Sequence, residues 1–195
     1  AQHAGGGWRY QPGEAGDTSV VGWQIMALQS ARSAGLSVPD AVLENADHYL
    51  DTVASNGQSQ YAYQRGNRPT HVMTAEALLC RMYLGWKKDR PALGSGVKWL
   101  MDSHMPSMNQ PDVYYWYYGT LGAYQLQGDH WQRWNEAMQK ELLQSQHSDG
   151  SWDADRVWGS YGGKVYQTAL SALCLEAYYR YDVASVRSGA AASAQ

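Results

Sequence analysis

The chain has 195 residues, 44% hydrophobic and 17% charged, with a formal net charge of -3. That is an ordinary balance for one globular domain with a substantial core. Lys87-Lys88 is the only basic doublet, which argues against a nucleic-acid footprint, because phosphate neutralisation requires concentrated positive charge. No apolar run approaches the roughly 20 residues of a membrane span.

In chain order, the first element is Gln2-His3-Ala4-Gly5-Gly6-Gly7-Trp8, a faint copy of Gln146-His147-Ser148-Asp149-Gly150-Ser151-Trp152 with Gln, His, Gly and Trp at matching spacing. The chain thus begins inside a repeat. From Asp17 to Ser33 the apolar residues Val21, Ile25 and Leu28 recur at helical spacing, widened by Val20, Trp23 and Ala27, which predicts a largely buried helix. Asp17 is placed to cap its first turn and Gly35 to end it. A second helix begins near Pro39, with Val42, Leu43, Ala46, Tyr49, Leu50 and Val53 on one stripe, and is therefore amphipathic.

The alternation recurs. After a Tyr-rich loop at Gln60-Tyr61-Ala62-Tyr63, an apolar helix runs from Val72 to Trp86 and an amphipathic one from Gly94 to Ser103. The third pair is the aromatic run from Val113, broken at Gly128, and the helix His130 to Ser145. The opening motif then leads through a Gly-rich loop into a last helix from Lys164 to Tyr181. Residues 185–195 are rich in Ala, Ser and Gly and predict a disordered tail.

Aligning the apolar helices on Thr18, Thr74, Thr120 and Thr168 gives a period of about 50 residues and about seven helices, the mark of a helical-hairpin array. A helix apolar all round is covered on every side or lines an enclosed cavity, whereas an amphipathic helix needs cover on one side only. Alternating the two gives an inner and an outer layer. Cys80 and Cys174 take equivalent places, six residues after their Thr, and read as small buried hydrophobes. In the loops Gly permits a tight turn, Trp seals the gap between helices and the Gln amide bonds unpaired groups at helix ends. Gln2, Gly7, Trp8, Gln146, Asp149, Gly150 and Trp152 therefore form a structural motif.

On these residues the chain resembles the terpenoid-cyclase and protein-prenyltransferase repeat family. The likeness rests on the loop at Gln146 to Trp152, its copy at Gln2 to Trp8, and the apolar helices beginning near Thr18, Thr74 and Thr168. It implies an all-α fold, an α/α toroid of repeated hairpins spanning residues 1–184, and a hydrophobic or isoprenoid ligand or a protein as partner. The family's chemistry is carried by motifs that this chain lacks. Squalene-hopene-type cyclases use a DxDD acid motif; Asp153-Ala154-Asp155-Arg156 lacks its last carboxylate, and an Arg there favours ionised aspartates over the protonated acid. The D-x-C zinc motif of prenyltransferases and the Cys-Gly-Glu-Gln thioester segment of complement-like toroids are absent, and no metal or cofactor is expected.

Candidate site residues gather near the starts of the apolar helices: Asp17, His71, Glu76, Trp116, Tyr161, Lys164 and Tyr166. Phe is absent while Trp numbers 9 and Tyr 15, so every aromatic ring has a polar handle suited to cavity walls, loop plugs or sugar surfaces. In a closed array these residues would converge on an aromatic pocket; otherwise each caps or packs. Asp153, Asp155 and Glu76 are the candidate catalytic acids. Glu76 stands out, since a carboxylate buried unpaired in an apolar helix costs several kcal/mol, and Arg81 is poorly spaced to pair with it. The functional expectation is a non-catalytic toroid that binds a ligand or protein. The alternatives are an enzyme acting on a polyprenyl substrate and a carbohydrate-active α/α barrel with paired carboxylates. Because a closed ring needs more hairpins, the array is expected to be an open crescent, a piece of a longer chain, or completed by a homo-oligomer.

Overall fold

The computed structural model describes residues 1–180, so the tail expected at 185–195 lies outside the described residues. The fold is all-α. Its helices are α1 (Thr18–Ser33), α2 (Asp40–Val53), α3 (His71–Tyr83), α4 (Pro91–Ser103), α5 (Val113–Leu126), α6 (Gly128–Ser145), α7 (Gly159–Leu175) and α8 (Ala177–Arg180). Between α2 and α3 lies one short hairpin, β1 (Ala54–Ser55) with β2 (Gln60–Tyr61), pairing Ala54 with Tyr61 and Ser55 with Gln60.

Two expectations change. Among the described residues eight helices replace about seven, because Glu176 sets a short last helix, α8, apart from α7. Gly163, at φ 62° and ψ -162°, breaks α7 after its first turn, and Glu176 separates α7 from α8. The glycine loop before Lys164 is thus helical from Gly159. In α2, Pro39 is the N-cap and Asp40 the first helical residue. The β-hairpin falls where the sequence pattern predicts only loop; two-residue strands carry too little alternation to register as a pattern.

Helices α1, α3, α5 and α7 pack side by side in that order, while α2, α4 and α6 lie against α1, α3 and α5 in turn. This is the alternation that the apolar patterning implies. Every residue of α3 from Met73 to Met82 is buried, and α5 is buried at Val113, Tyr115–Leu121, Ala123 and Gln125. Helix α2 buries only the stripe Leu43, Ala46, Tyr49, Leu50 and Val53. The four aligned threonines each tie a buried helix to its surroundings. Thr18 Oγ1 donates to Ala62 O (2.6 Å), and the Tyr61 and Trp152 amides donate to Thr74 and Thr168 Oγ1 (3.0 and 3.2 Å). Trp134 Nε1 donates to Thr120 Oγ1 (2.9 Å).

The two glycine loops share one bonding scheme. Gln2 Nε2 donates to Gly6 O (2.9 Å) and Gln146 Nε2 to Gly150 O (3.0 Å). The His3 and His147 amides donate to Gly7 O and Ser151 O, both at 2.9 Å. Gly6 and Gly150 lie at φ 85° and 84°, a left-handed conformation that opposes any side chain. Gln2 also donates to Val42 O in α2 (2.9 Å), and Trp152 Nε1 to Leu142 O in α6 (2.8 Å). The motif therefore clamps the loop to the neighbouring amphipathic helix. Asp149 stabilises its own turn by accepting from the Ser151 amide at 3.0 Å.

Arg81 fastens the layers on the other side of α3. It is 1% exposed, with Nη1 and Nη2 each 2.5 Å from Asp47 and Asp51 of α2, Nε on the Tyr61 hydroxyl at 3.2 Å, and its guanidinium 4.9 Å from the Trp86 ring centre.

Candidate functional site

The predicted site residues do not meet at one place. Asp17 is fully buried as the N-cap of α1, accepting from the Val20 amide (2.9 Å) and the Ser19 hydroxyl (2.8 Å), with Arg9 Nε 3.3 Å away. Trp116 is packed inside the core. Tyr161 lies on the outside at 86% exposure, and Lys164 is an exposed side chain 3.6 Å from Asp149. The remaining residues form two buried groups.

The first group surrounds Glu76 at the junction of α1, α3 and α5. Its carboxyl is 0% exposed; Oε2 accepts from the Tyr114 hydroxyl at 3.3 Å and Oε1 has no hydrogen-bond partner. The Tyr118 hydroxyl stands beside it without completing a hydrogen bond. Burial holds the carboxyl well above its usual range, the two tyrosines oppose that rise, and the charge of Asp17 adds to it. Burial thus favours the protonated form of Glu76. Gly22 of α1 leaves it room, since a Cβ there would lie 2.1 Å from Oε1. Trp23 closes the inner side, stacking on Tyr117 (6.2 Å between centres) and meeting Tyr118 edge-on (5.9 Å). Arg81, the neighbour that sequence spacing already disfavours, is committed to Asp47 and Asp51 instead.

The second group lies at the N-terminal ends of α3, α5 and α7. His71 stacks on His104 (4.6 Å, 15° between planes), meets the edge of Tyr115 (4.7 Å), and holds Nε2 4.0 Å from Asp112 Oδ2. Burial, then the neighbouring His104, lowers the His71 pKa. Asp112 caps α5 through the Tyr115 amide (3.0 Å); burial raises its pKa, and the charge of Asp155 raises it further. Asp155 accepts from the amides of Val113 (3.3 Å), Val157 (2.9 Å), Trp158 (2.8 Å) and Gly159 (3.1 Å). It therefore caps the first turn of α7 and also holds the start of α5. Tyr166 adds a buried hydroxyl without a partner, its pKa raised by burial and then by Asp155 and Asp112.

The sequence pair Asp153 and Asp155 is split by this arrangement. Asp153 points outward, 3.0 Å from His147, while Asp155 is buried. The carboxylate neighbour of Asp155 is Asp112, which the motif reading missed together with His104. An acid directly before an apolar helix is an N-cap signal, and that signal was present at Asp112.

These groups have definite chemical limits. A polyprenyl-protonating acid needs a cavity for its substrate, yet α3 has no open residue between Met73 and Met82. The space between α3, α4, α5 and α6 amounts to about 20 Å³, lined only by apolar atoms, which is room for about one water molecule. A glycosidase needs carboxylates across an open groove, whereas Asp112 and Asp155 share one buried junction and spend their oxygens on backbone amides. Among the described residues no three His, Cys, Asp or Glu side chains gather to hold a metal ion, and no helix is long and apolar enough to cross a membrane. Cys80 and Cys174 are both free and buried.

Compared with protein-family models and with curated proteins, the chain matches none.

Proposed function

We propose that the chain is a helical-repeat module of the α/α-toroid type, similar to the repeats of terpenoid cyclases and protein prenyltransferases but without their chemistry, and that it binds a protein partner through the open face of α7. One observation carries the reading: Val165 and Ala169, four residues apart on α7 after the break at Gly163, are both exposed, Val165 at 82%, and Tyr161 just before that break is exposed at 86%. Val157, Trp158 and Tyr179 are exposed as well. We read these exposed apolar side chains as an interaction site, the role that exposed apolar patches take on folded surfaces. Of the candidate catalytic acids, by contrast, Asp155 caps a helix, Glu76 lies sealed in the core and Asp153 is exposed beside His147.

Acetylation of tyrosine hydroxyls in the dilute chain tests this. Rapid modification of Tyr161 and Tyr179 is expected, and protection of both would refute an open face. A second reading, acid chemistry on a polyprenyl substrate, is favoured by the buried Glu76 enclosed by Trp23, Tyr114 and Tyr118. Titration with farnesyl diphosphate and squalene separates the two readings. No heat of binding is expected for the binding module, whereas binding that depends on Glu76, with turnover of the bound substrate, would support the enzyme.

A further inference from the structure

We propose that the partner on the open face of α7 is α1 of a second copy of this chain, in a head-to-tail contact that continues the α1, α3, α5, α7 layer. This rests on the reading of α7 as an interaction face and names its occupant. The same type of contact occurs three times within the chain, α1 on α3, α3 on α5 and α5 on α7. The interior members α3 and α5 are covered almost all round, while the two end members each keep an open side. On α1 that side carries Trp23 at 45% exposure with Gln24, Ala27 and Ser30 exposed.

On the α7 side Val165 and Ala169 are exposed, and on the α1 side Ala27 and Ser30, one turn apart; Val165 can seat against these small residues across the helix pair. A contact of α7 with α7 of the copy is disfavoured, because Lys164 flanks the stripe and would face its own equivalent. Joining a patch to a different patch makes the contact heterologous, so association continues beyond a dimer unless the rotation closes a ring.

The test is sedimentation velocity on the 195-residue chain, alone and as Val165→Glu and Ala27→Glu variants, with circular dichroism to confirm that each variant is folded. The wild type should associate as concentration rises. Each variant keeps one good face and should remain monomeric by itself. An equimolar mixture of the two should form a species of twice the monomer mass and go no further. A dimeric Ala27→Glu variant beside a monomeric Val165→Glu variant would overturn the head-to-tail contact in favour of α7 on α7. A monomeric wild type would overturn the second copy as partner. In that case reactive Tyr161 in the monomer leaves the interaction face standing, whereas protected Tyr161 means that the chain covers its own face and both readings fail.

Discussion

Replacing Glu76 with Gln should remove a pH dependence of stability that the wild-type fold carries. In the unfolded chain the carboxyl titrates near its ordinary value of 4.5, whereas in the fold burial holds it well above that value. Below the unfolded value both states keep the proton and stability is complete. As pH rises through that value the unfolded chain releases its proton and the fold retains it, so stability falls by about 1.4 kcal/mol per pH unit until the folded carboxyl itself titrates. The Glu76→Gln variant has no proton to release at this position, and the amide oxygen it introduces can accept the Tyr114 hydroxyl in the same place. Urea denaturation of both proteins at intervals from about pH 5 to pH 7 is the assay, with equal m-values showing that the unfolded states match. All other titrating groups cancel in the difference, so the stability of the variant relative to wild type should grow by about 1.4 kcal/mol per pH unit for as long as the folded carboxyl keeps its proton. Parallel curves would mean that Glu76 is solvated or ionised in the fold and would refute the sealed, neutral acid.

The contact that makes room for Glu76 gives a companion prediction. Gly22→Ala puts a Cβ 2.1 Å from Oε1, and overpacking of this kind should cost about 2 kcal/mol, a fall of about 6 °C in Tm by calorimetry; an unchanged Tm would show that α1 yields freely. Asp155→Ala removes the acceptor of four backbone amides and should cost about 2 kcal/mol, while Asp153→Ala stays within about 0.5 kcal/mol, both read by thermal melting. Equal effects would contradict the split of that pair. Replacing Asp47 and Asp51 together with Ala strands the buried Arg81 charge and should cost about 3 kcal/mol or more. Adding Arg81→Met should recover much of that loss in denaturant titrations. Trp152→Phe loses the bond to Leu142 O and should cost about 1 kcal/mol, with chemical denaturation as the measure.

The layer pattern was legible because burial imposes a period on the residues that undergo it. Leu43, Ala46, Leu50 and Val53 mark a half-covered helix, and the run from Thr74 to Met82, apolar apart from Thr74, Glu76 and Arg81, marks a fully covered one. Caps were legible at Asp17 and, in principle, at Asp112, because a short polar acceptor ahead of an apolar run acts within four residues. The shared scheme of Gln2 to Trp8 and Gln146 to Trp152 was legible for the same reason. Each turn closes through hydrogen bonds between residues three or four apart, while Gln2 and Trp152 also reach Val42 and Leu142.

What the tertiary structure alone decided is which groups meet across helices. The pairing of Glu76 with Tyr114, its clearance by Gly22, the removal of Arg81 to Asp47 and Asp51, and the junction of Asp155 with Asp112 all join residues at least thirty positions apart. No local period encodes such a pairing; it follows from the rotation and offset at which one helix packs on the next. The chain's own order of residues determined that buried and half-buried helices alternate and are joined by glycine turns. Whether the acids on those helices face a cavity, a helix end or a sealed core depended on packing, and packing made a helix cap of Asp155 and a buried acid of Glu76 while leaving Val165 and Ala169 of α7 exposed.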